Sequence, residues 1–266
     1  VGGFFRSPTK EELRPLASEL RWAIETAAET VALVAGFDFP DFSMDYEFVA
    51  LTQPDEYAIV DGRIVSTAGL DIDVREWGDH FEESHVEWSN ALHSRIKERG
   101  RYHVGPMARF ALSGHLLTPR ASDAANAVGL RPGESNPFRS IIIRAVEIVL
   151  ACEEALRIVE GYEPPTPSFV DVEPRSAIGH GASEAPRGLL WHRYEIDDDG
   201  LVSSARIVPP TSQNQARIEA DLHRSLETFG LQQPDDALRL RAETVIRNYD
   251  PCISCATHFL KLDVQR

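Results

Sequence analysis

The sequence predicts a mainly α-helical fold, with long helices packed as a bundle and small β hairpins at its edge. Several long segments repeat apolar residues at steps of three and four, which is the spacing of one helix face. Two short segments have the composition of hairpin turns. The chain has 266 residues, of which 42% are hydrophobic, and this is enough to bury a core.

The first helix is predicted between Thr9 and Gly36. Thr9-x-x-Glu12 is a capping box, in which each side chain binds the backbone of the other residue, and Gly36 is a typical C-terminal stop. The apolar positions at helical spacing are Leu13, Leu16, Leu20, Ala23, Ala27, Val31 and Val34. One face of this helix is therefore expected to be buried.

The segment after the first helix is predicted to form a hairpin and then a short helix. Residues 57–60 and 63–65 flank Asp61-Gly62, a dipeptide typical of two-residue hairpin turns. Residues 82–99 are predicted to be helical.

A second long helix is predicted to begin at Asn136-Pro137 and to end near Gly161, because Asn is a good cap and Pro is favoured at the first helical position. Its apolar stripe is formed by Ile141, Ala145, Ile148, Cys152, Leu156 and Val159. Free cysteine is among the most buried residue types. We interpret Cys152 as an inert core thiol and not as a site residue.

A second hairpin is predicted from residues 189–196 and 201–208, joined by the turn 197–200. Before it, Gly179-His180-Gly181 is interpreted as a turn, since it lacks the spacing and the lysine of a phosphate-binding loop.

Two helices are predicted near the end of the chain. The first begins with Thr211 or Ser212 as its N-cap, and its stripe is formed by Ile218, Leu222, Leu226 and Phe229. The second covers about 235–247 and leads the chain to Asp250.

The charge balance argues against a nucleic-acid partner. Lys and Arg number 27 against 42 Asp and Glu, a net charge of -15, whereas phosphate binding needs a basic surface. No run approaches the roughly 18 to 20 apolar residues that span a bilayer, and the first residues do not resemble a secretory signal. We expect a cytoplasmic protein without a membrane span. The three cysteines do not suggest a disulfide framework.

The most informative stretch is Asp250-Pro251-Cys252-Ile-Ser-Cys255-Ala-Thr-His258. Two thiols separated by two residues can bind one metal ion, and thiolates select nickel, iron, copper or zinc over magnesium and calcium. Pro251 cannot continue a preceding helix, so Cys252 is expected at a rigid corner.

Other interpretations of the cysteine pair remain open from the residues alone. A redox pair normally follows a strand in a βαβ unit, and none is predicted here. Half of a structural zinc site would need further ligands, such as His180, His192 or His258. A c-type haem would need His directly after Cys255, where Ala256 stands. The residues alone predict a thiolate metal site that is completed from elsewhere.

This stretch resembles the C-terminal signature of the large subunits of [NiFe] hydrogenases. Three more motifs resemble the same family in the same order: His103-Val-Gly-Pro106-Met-Ala-Arg109, Glu184-Ala-Pro-Arg187-Gly188 and Pro210-Thr-Ser-Gln-Asn214. The resemblance implies the helical bundle of that subunit type.

The resemblance also implies the metal ligands. Cys252 would be a terminal nickel ligand, and Cys255 would bridge nickel to an iron that carries carbon monoxide and two cyanides. His258 would bind magnesium or a similar divalent ion nearby.

Four further residues gain implied roles from the same resemblance. Arg187 would donate hydrogen bonds to one cyanide, and Thr211 would meet the other with its hydroxyl group. Pro186 belongs to the same cofactor-binding set. Asp250 would lie near the metals and Arg187, where its charge would tune the site. The implied catalytic residues are thus Cys252, Cys255, Arg187 and Asp250.

The implied function is reversible heterolytic cleavage of H2 into protons and electrons. Electrons would leave through iron–sulfur clusters in a small subunit, because three cysteines cannot hold such clusters here. The sequence of residues 254–258 resembles that of cytoplasmic hydrogenases coupled to NAD(P). This resemblance implies diaphorase-type subunits as further partners. A non-catalytic hydrogenase-like scaffold subunit and a structural thiolate-metal protein are the alternatives.

Two departures from the family pattern affect the predicted domain organisation. The family needs a second Cys-x-x-Cys pair from its N-terminal region, and residues 1–266 contain none. We therefore expect this chain to be the C-terminal portion of a single large-subunit domain, with the N-terminal portion absent. Residues 259–266 extend past the position where a maturation endopeptidase often cleaves in this family, which suggests an unprocessed subunit or one that keeps its tail.

Overall fold

The computed structural model describes residues 5–252, and most of their regular structure is helical. The helices are α1 (Lys10–Ala35), α2 (Trp77–His80), α3 (Pro106–Ser113), α4 (Pro119–Ala127), α5 (Ser140–Glu160), α6 (Pro210–Phe229) and α7 (Asp235–Arg247). The strands are β1 (Val49–Thr52), β2 (Arg63–Ser66), β3 (Asp71–Ile72), β4 (Phe81–Ser84), β5 (His93–Ile96), β6 (Ala177–Ala185), β7 (Gly188–Ile196) and β8 (Val202–Val208). The predicted fold class, mainly helical with small hairpins, is confirmed.

Helices α1 and α5 pack along each other and form the larger core together with α3 and α4. The capping box predicted at Thr9 is present, and Gly36 follows the last residue of α1. The first predicted helix is therefore confirmed at both ends.

Helix α5 is confirmed with two differences. The side chain of Asn136 accepts a hydrogen bond from the Phe138 amide at 3.0 Å, but the first turn, Pro137–Arg139, is a 3-10 helix. Ile148 is 53% exposed, so its predicted place in the buried stripe is wrong. The fully buried positions are Ile142, Ile143, Val146 and Val149. Cys152 is half-buried against this core, and burial raises the pKa of its thiol.

All strands of the three small sheets pair antiparallel, in the orders β1-β2-β3, β4-β5 and β6-β7-β8. The hairpin predicted around Asp61-Gly62 is wrong, because β2 pairs with β1 and not with residues 57–60. Tyr57 is instead buried and donates a hydrogen bond from its hydroxyl group to Glu147 of α5 at 2.7 Å. This bond holds Tyr57 against α5, whereas Ala58 is buried in the second core, among the strands.

The helix predicted over residues 82–99 is wrong, because β4 and β5 form a hairpin there. Phe81 pairs with Ile96, and both are buried in the second core with Trp77 and Tyr102. The side chains of the next pair, Glu82 and Arg95, form a salt bridge on the exposed face, with 2.6 Å between Oε1 and Nε. Side chains thus alternate between core and solvent with the period of a strand.

The predicted hairpin of β7 and β8 is confirmed, with the side chain of Asp197 accepting hydrogen bonds from the amides of its turn. The sequence did not predict β6, which pairs with β7 over its whole length. Gly179-His180-Gly181 lies inside β6, so the predicted turn is wrong.

Helix α6 begins at Pro210 after Pro209 as its N-cap, so Thr211 and Ser212 lie in the first turn, and the predicted N-cap is wrong. Helix α7 has the predicted bounds. No helix within residues 5–252 is long and apolar enough to cross a membrane.

Candidate metal centre

Four of the predicted site residues meet where α7 ends, where β6 turns into β7 and where α6 begins. Arg187 donates a hydrogen bond from Nε to the carbonyl oxygen of Asp250, and this nitrogen lies 3.4 Å from the Asp250 carboxylate. The hydroxyl group of Thr211 accepts a hydrogen bond from the Cys252 amide at 3.3 Å. Pro186 lies next to Arg187 in the turn. Cys255 and His258 lie outside the described residues.

Residues 248–252, here called the cysteine corner, take the chain away from α7. The Asp250 amide donates to the carbonyl oxygen of Arg247 at 3.0 Å, and Asp250 itself has a φ of 46°, in the left-handed region. Aspartate tolerates this region better than most residues. Pro251 has no amide hydrogen to continue the helix. Cys252 therefore lies beyond a sharp turn, beside the first turn of α6.

Arg109 of α3 fixes the turn that carries Arg187. Its guanidinium donates to the carbonyl oxygens of Ala185 at 2.9 Å and Pro186 at 3.1 Å. The same buried group forms ion pairs with Glu147 at 2.7 Å and Glu184 at 2.9 Å. The Arg109 guanidinium thus donates five hydrogen bonds, to two carboxylates and two backbone carbonyl oxygens. The bonds to Ala185 and Pro186 therefore fix the position of the backbone just before Arg187.

Glu184 is the most deeply buried acid in this group. Burial raises the pKa of its carboxyl to about 7, although Arg109 and the amide of Leu51 both act to lower it. The Leu51 amide donates to this carboxyl at 2.8 Å. Glu184 therefore also links β6 to β1.

Two glycines allow a direct backbone contact next to Arg187. Gly105 has a φ of 118°, and a Cβ atom on it would lie 2.8 Å from the carbonyl oxygen of Arg187. Gly188 has a φ of 132°, and its Cβ would lie 2.7 Å from the Gly105 nitrogen. Any side chain at either position would separate the two segments.

The first turns of α6 bind the same backbone from the other side. The side-chain amide of Asn214 accepts from the Val104 nitrogen and donates to the Val104 carbonyl oxygen, both at 2.9 Å. Gln213 donates to the carbonyl oxygens of Leu189 and Val208. The three upstream motifs are therefore bound directly to one another. Sequence reasoning assigned no individual role to Gln213, Asn214 or Arg109, although each lies in one of the family motifs.

A buried polar network holds the start of the cysteine corner. The hydroxyl group of Tyr249 donates to Asp221 of α6 at 2.6 Å, and Tyr46 donates to the same carboxylate oxygen at 2.5 Å. Arg217 neutralises Asp221 at 2.7 Å. The ring of His103 lies 5.0 Å from that of Tyr249, and burial lowers the pKa of His103 to about 3. Sequence reasoning missed this network, for which the four-residue spacing of Arg217 and Asp221 was the available signal.

The chemistry of these donors fits a soft metal with anionic ligands. Cys252 offers a thiol, Thr211 a hydroxyl group and Arg187 a guanidinium that is 37% exposed. Residues 5–252 contain no group of three or more His, Cys, Asp or Glu side chains that could hold a metal ion by itself. The described residues alone could therefore supply only part of the ligands of such a metal.

The family model for nickel-dependent hydrogenases matches residues 145–258 of the chain. This range includes the Arg187 turn, the start of α6 and the cysteine corner. The chain belongs to the nickel-dependent hydrogenase family.

The curated relatives are hydrogenase subunits. The chain is 31% identical to sulfhydrogenase 1 subunit alpha of Pyrococcus furiosus, over 98% of this chain and 61% of the relative. It is 32% identical to the beta subunit of the NAD-reducing hydrogenase HoxS of Cupriavidus necator, over 71% of this chain and 41% of the relative. The hydrogenase chain therefore spans about 61% of the first of these relatives.

Solved structures share the fold. An NAD+-reducing [NiFe]-hydrogenase in the H2-reduced state matches with a TM-score of 0.82 and 24% identity, over 97% of this chain and 62% of the other. The [NiFeSe]-hydrogenase of Dm. baculatum matches with a TM-score of 0.70 and 20% identity, over 97% and 62%. The helical fold with small sheets is thus that of the large subunit.

The glycine contact can be tested by Gly105→Ala with Gly129→Ala as a matched control. Both glycines have positive φ, but a Cβ on Gly129 would meet nothing within 4 Å. We expect Gly129→Ala to lower the free energy of unfolding by about 1–2 kcal/mol. Gly105→Ala should cost about 1–3 kcal/mol more because of the clash with Arg187. Urea unfolding measures both, and equal losses would contradict a required contact.

The burial of His103 predicts a pH dependence of stability. The folded protein keeps this ring neutral down to pH about 3, whereas an unfolded histidine binds a proton below about pH 6.5. Stability is therefore complete above pH 6.5 and falls as the pH drops from 6.5 towards 3, by up to about 1.4 kcal/mol per unit.

The variant His103→Phe should keep the ring packing and remove this contribution. Urea unfolding between pH 7 and pH 4.5 should then show a shallower loss of stability than in the wild type. His115 is exposed, and His115→Phe should retain the wild-type slope. An unchanged slope in His103→Phe would show that His103 does not titrate on unfolding.

Proposed function

We propose that this chain is the C-terminal part of the catalytic subunit of a [NiFe] hydrogenase, which cleaves H2 reversibly into protons and electrons. The observation that carries the proposal is the meeting of Cys252, Thr211, Arg187 and Asp250 at one point. These residues come from three separate motifs of a chain that belongs to the hydrogenase family.

In this proposal, Cys252 and Cys255 would hold the nickel–iron group as thiolate ligands. His258 binds magnesium or a similar divalent ion. When bound, the nickel–iron group with its carbon monoxide and cyanide ligands would supply the Lewis acidity that makes H2 cleavable. The remaining ligands come from outside residues 5–252.

Thr211 and Arg187 are placed to donate to anionic ligands of such a group. The Thr211 hydroxyl group accepts a hydrogen bond from the Cys252 amide. Its own hydrogen can therefore still be donated to another acceptor. Arg187 uses Nε on Asp250, and no described residue accepts a hydrogen bond from its two Nη groups. Asp250 orients Arg187 and balances part of its charge.

We further propose that the enzyme is cytoplasmic and linked to NAD(P). The 32% identity to a subunit of an NAD-reducing hydrogenase supports this assignment. Electrons would leave through an iron–sulfur small subunit and then diaphorase-type subunits, and a maturation endopeptidase would act on the C-terminal tail.

The first test is an infrared spectrum and a nickel determination on the complex purified with its partner subunits. We expect bands of metal-bound carbon monoxide and cyanide and stoichiometric nickel. Absence of both from the wild type would replace the catalytic proposal with the scaffold-subunit alternative. Zinc without nickel would indicate a structural thiolate site.

The variant Cys252→Ser tests the ligand assignment, because serine is a poor ligand for nickel. We expect loss of nickel and of the infrared bands, with H2 uptake lowered by more than about 100-fold. Cys152→Ser is the matched control, since Cys152 lies on α5 and packs against the core, and it should retain nickel. Full nickel content in Cys252→Ser would contradict its role as a ligand.

A further inference from the structure

Arg144 of α5 contacts the cysteine corner at Asn248. Its Nη1 atom donates to the carbonyl oxygen of Asn248 at 2.9 Å. Ser140, one turn earlier on α5, donates to the same oxygen at 2.8 Å. Asn248 is the C-cap of α7, so its carbonyl has no partner inside the helix. A positive group at a helix C-terminus is favourable.

Two guanidinium groups therefore bind the corner at two nearby carbonyl oxygens. Arg144 binds that of Asn248, and Arg187 binds that of Asp250. Between them, Tyr249 is anchored to Asp221. Since these contacts are to the backbone or to the residue just before Asp250, they fix the path of the chain into Cys252.

Arg144 also adds charge near the site. Among the described residues, no carboxylate lies within 4.0 Å of its guanidinium nitrogens. Burial lowers the pKa of Arg144, the charges of Asp250 and Glu147 act to raise it, and Arg187 lowers it further. Glu147 is paired with Arg109, and Arg144 places a second guanidinium near Arg187 and Asp250.

We propose that Arg144 is a positioning residue of the metal centre, which sets the position of Cys252 through the Asn248 carbonyl and adds a second positive charge beside Arg187. This rests on the proposed function. Arg144 itself touches neither substrate nor metal in this scheme. Its effect passes through the backbone of the corner and through the electric field at the site.

The test uses the complete hydrogenase complex with Arg144→Gln and Arg144→Lys. Arg144→Gln removes the charge, whereas Arg144→Lys keeps it. We expect Arg144→Gln to lower nickel content or H2 uptake by about 10–100-fold, as substitutions around metal ligands commonly do. Its cyanide infrared bands should shift in the molecules that retain metal, and Arg144→Lys should restore the band positions in part.

Two further variants separate positioning from general loss of folding. Ser140→Ala removes a donor to the same carbonyl without a change in charge, so it should reproduce the loss of nickel to a smaller degree. Arg157→Gln is the control, because Arg157 is exposed on the same helix and pairs with Glu154. Wild-type nickel content and cyanide bands in Arg144→Gln would overturn the proposal.

Amide hydrogen exchange of residues 248–252 tests the contact without reference to metal. We expect exchange in this segment to rise about tenfold or more in Arg144→Gln, for a loss of about 1.4 kcal/mol of local stability. Arg157→Gln should leave it unchanged. If the wild type lacks nickel, the proposed function fails while this readout still decides the positioning contact. Unchanged exchange in Arg144→Gln would reject it.

Discussion

The placement of the whole site depends on the buried guanidinium of Arg109. It joins α3 to α5 through Glu147 and to β6 through Glu184, and it binds the turn before Arg187 through two carbonyl oxygens. A buried charge is costly unless it is paired on all sides, and removal of one partner commonly costs about 3–5 kcal/mol. Helix, strand and turn are therefore stabilised in the arrangement that satisfies Arg109, and this arrangement places Arg187 at the cysteine corner.

Helix α6 follows the same principle with two side-chain amides and an ion-paired carboxylate. Its inner face is polar, with Gln213, Asn214 and Asp221 all buried. Polar groups belong there because their partners are backbone atoms and hydroxyl groups, which apolar side chains would leave without hydrogen bonds. The helix thus recognises the backbone at Val104 and the side chain of Tyr249. Its first turn places Thr211 beside Cys252 as a consequence.

The sequence predicted what is decided locally. The caps at Thr9 and Asn136 were sufficient to predict where α1 and α5 begin, because a cap acts within one helical turn. The pairing of strands depends on residues far away in the sequence. Tyr57, predicted to lie in a hairpin, instead forms a hydrogen bond with Glu147, 90 residues away. The site motifs were recognisable through resemblance to a family, but the contact between Asn214 and Val104 joins residues 110 apart. A pattern of neighbouring residues cannot predict a contact between residues so far apart in the sequence.

Side chains from other parts of the fold bind the backbone of the cysteine corner and fix its path. Three backbone groups, the carbonyl oxygens of Asn248 and Asp250 and the Cys252 amide, are bound by side chains from α5, the β6–β7 turn and α6. None of these bonds uses a thiol. In the proposed centre, the fold would thus position Cys252 without any metal–sulfur bond, and the entropy cost of ordering this ligand would fall on folding and not on metal binding. A centre whose other ligands lie elsewhere in the protein gains most from such preparation, since each ligand that is already ordered removes part of the cost of assembly.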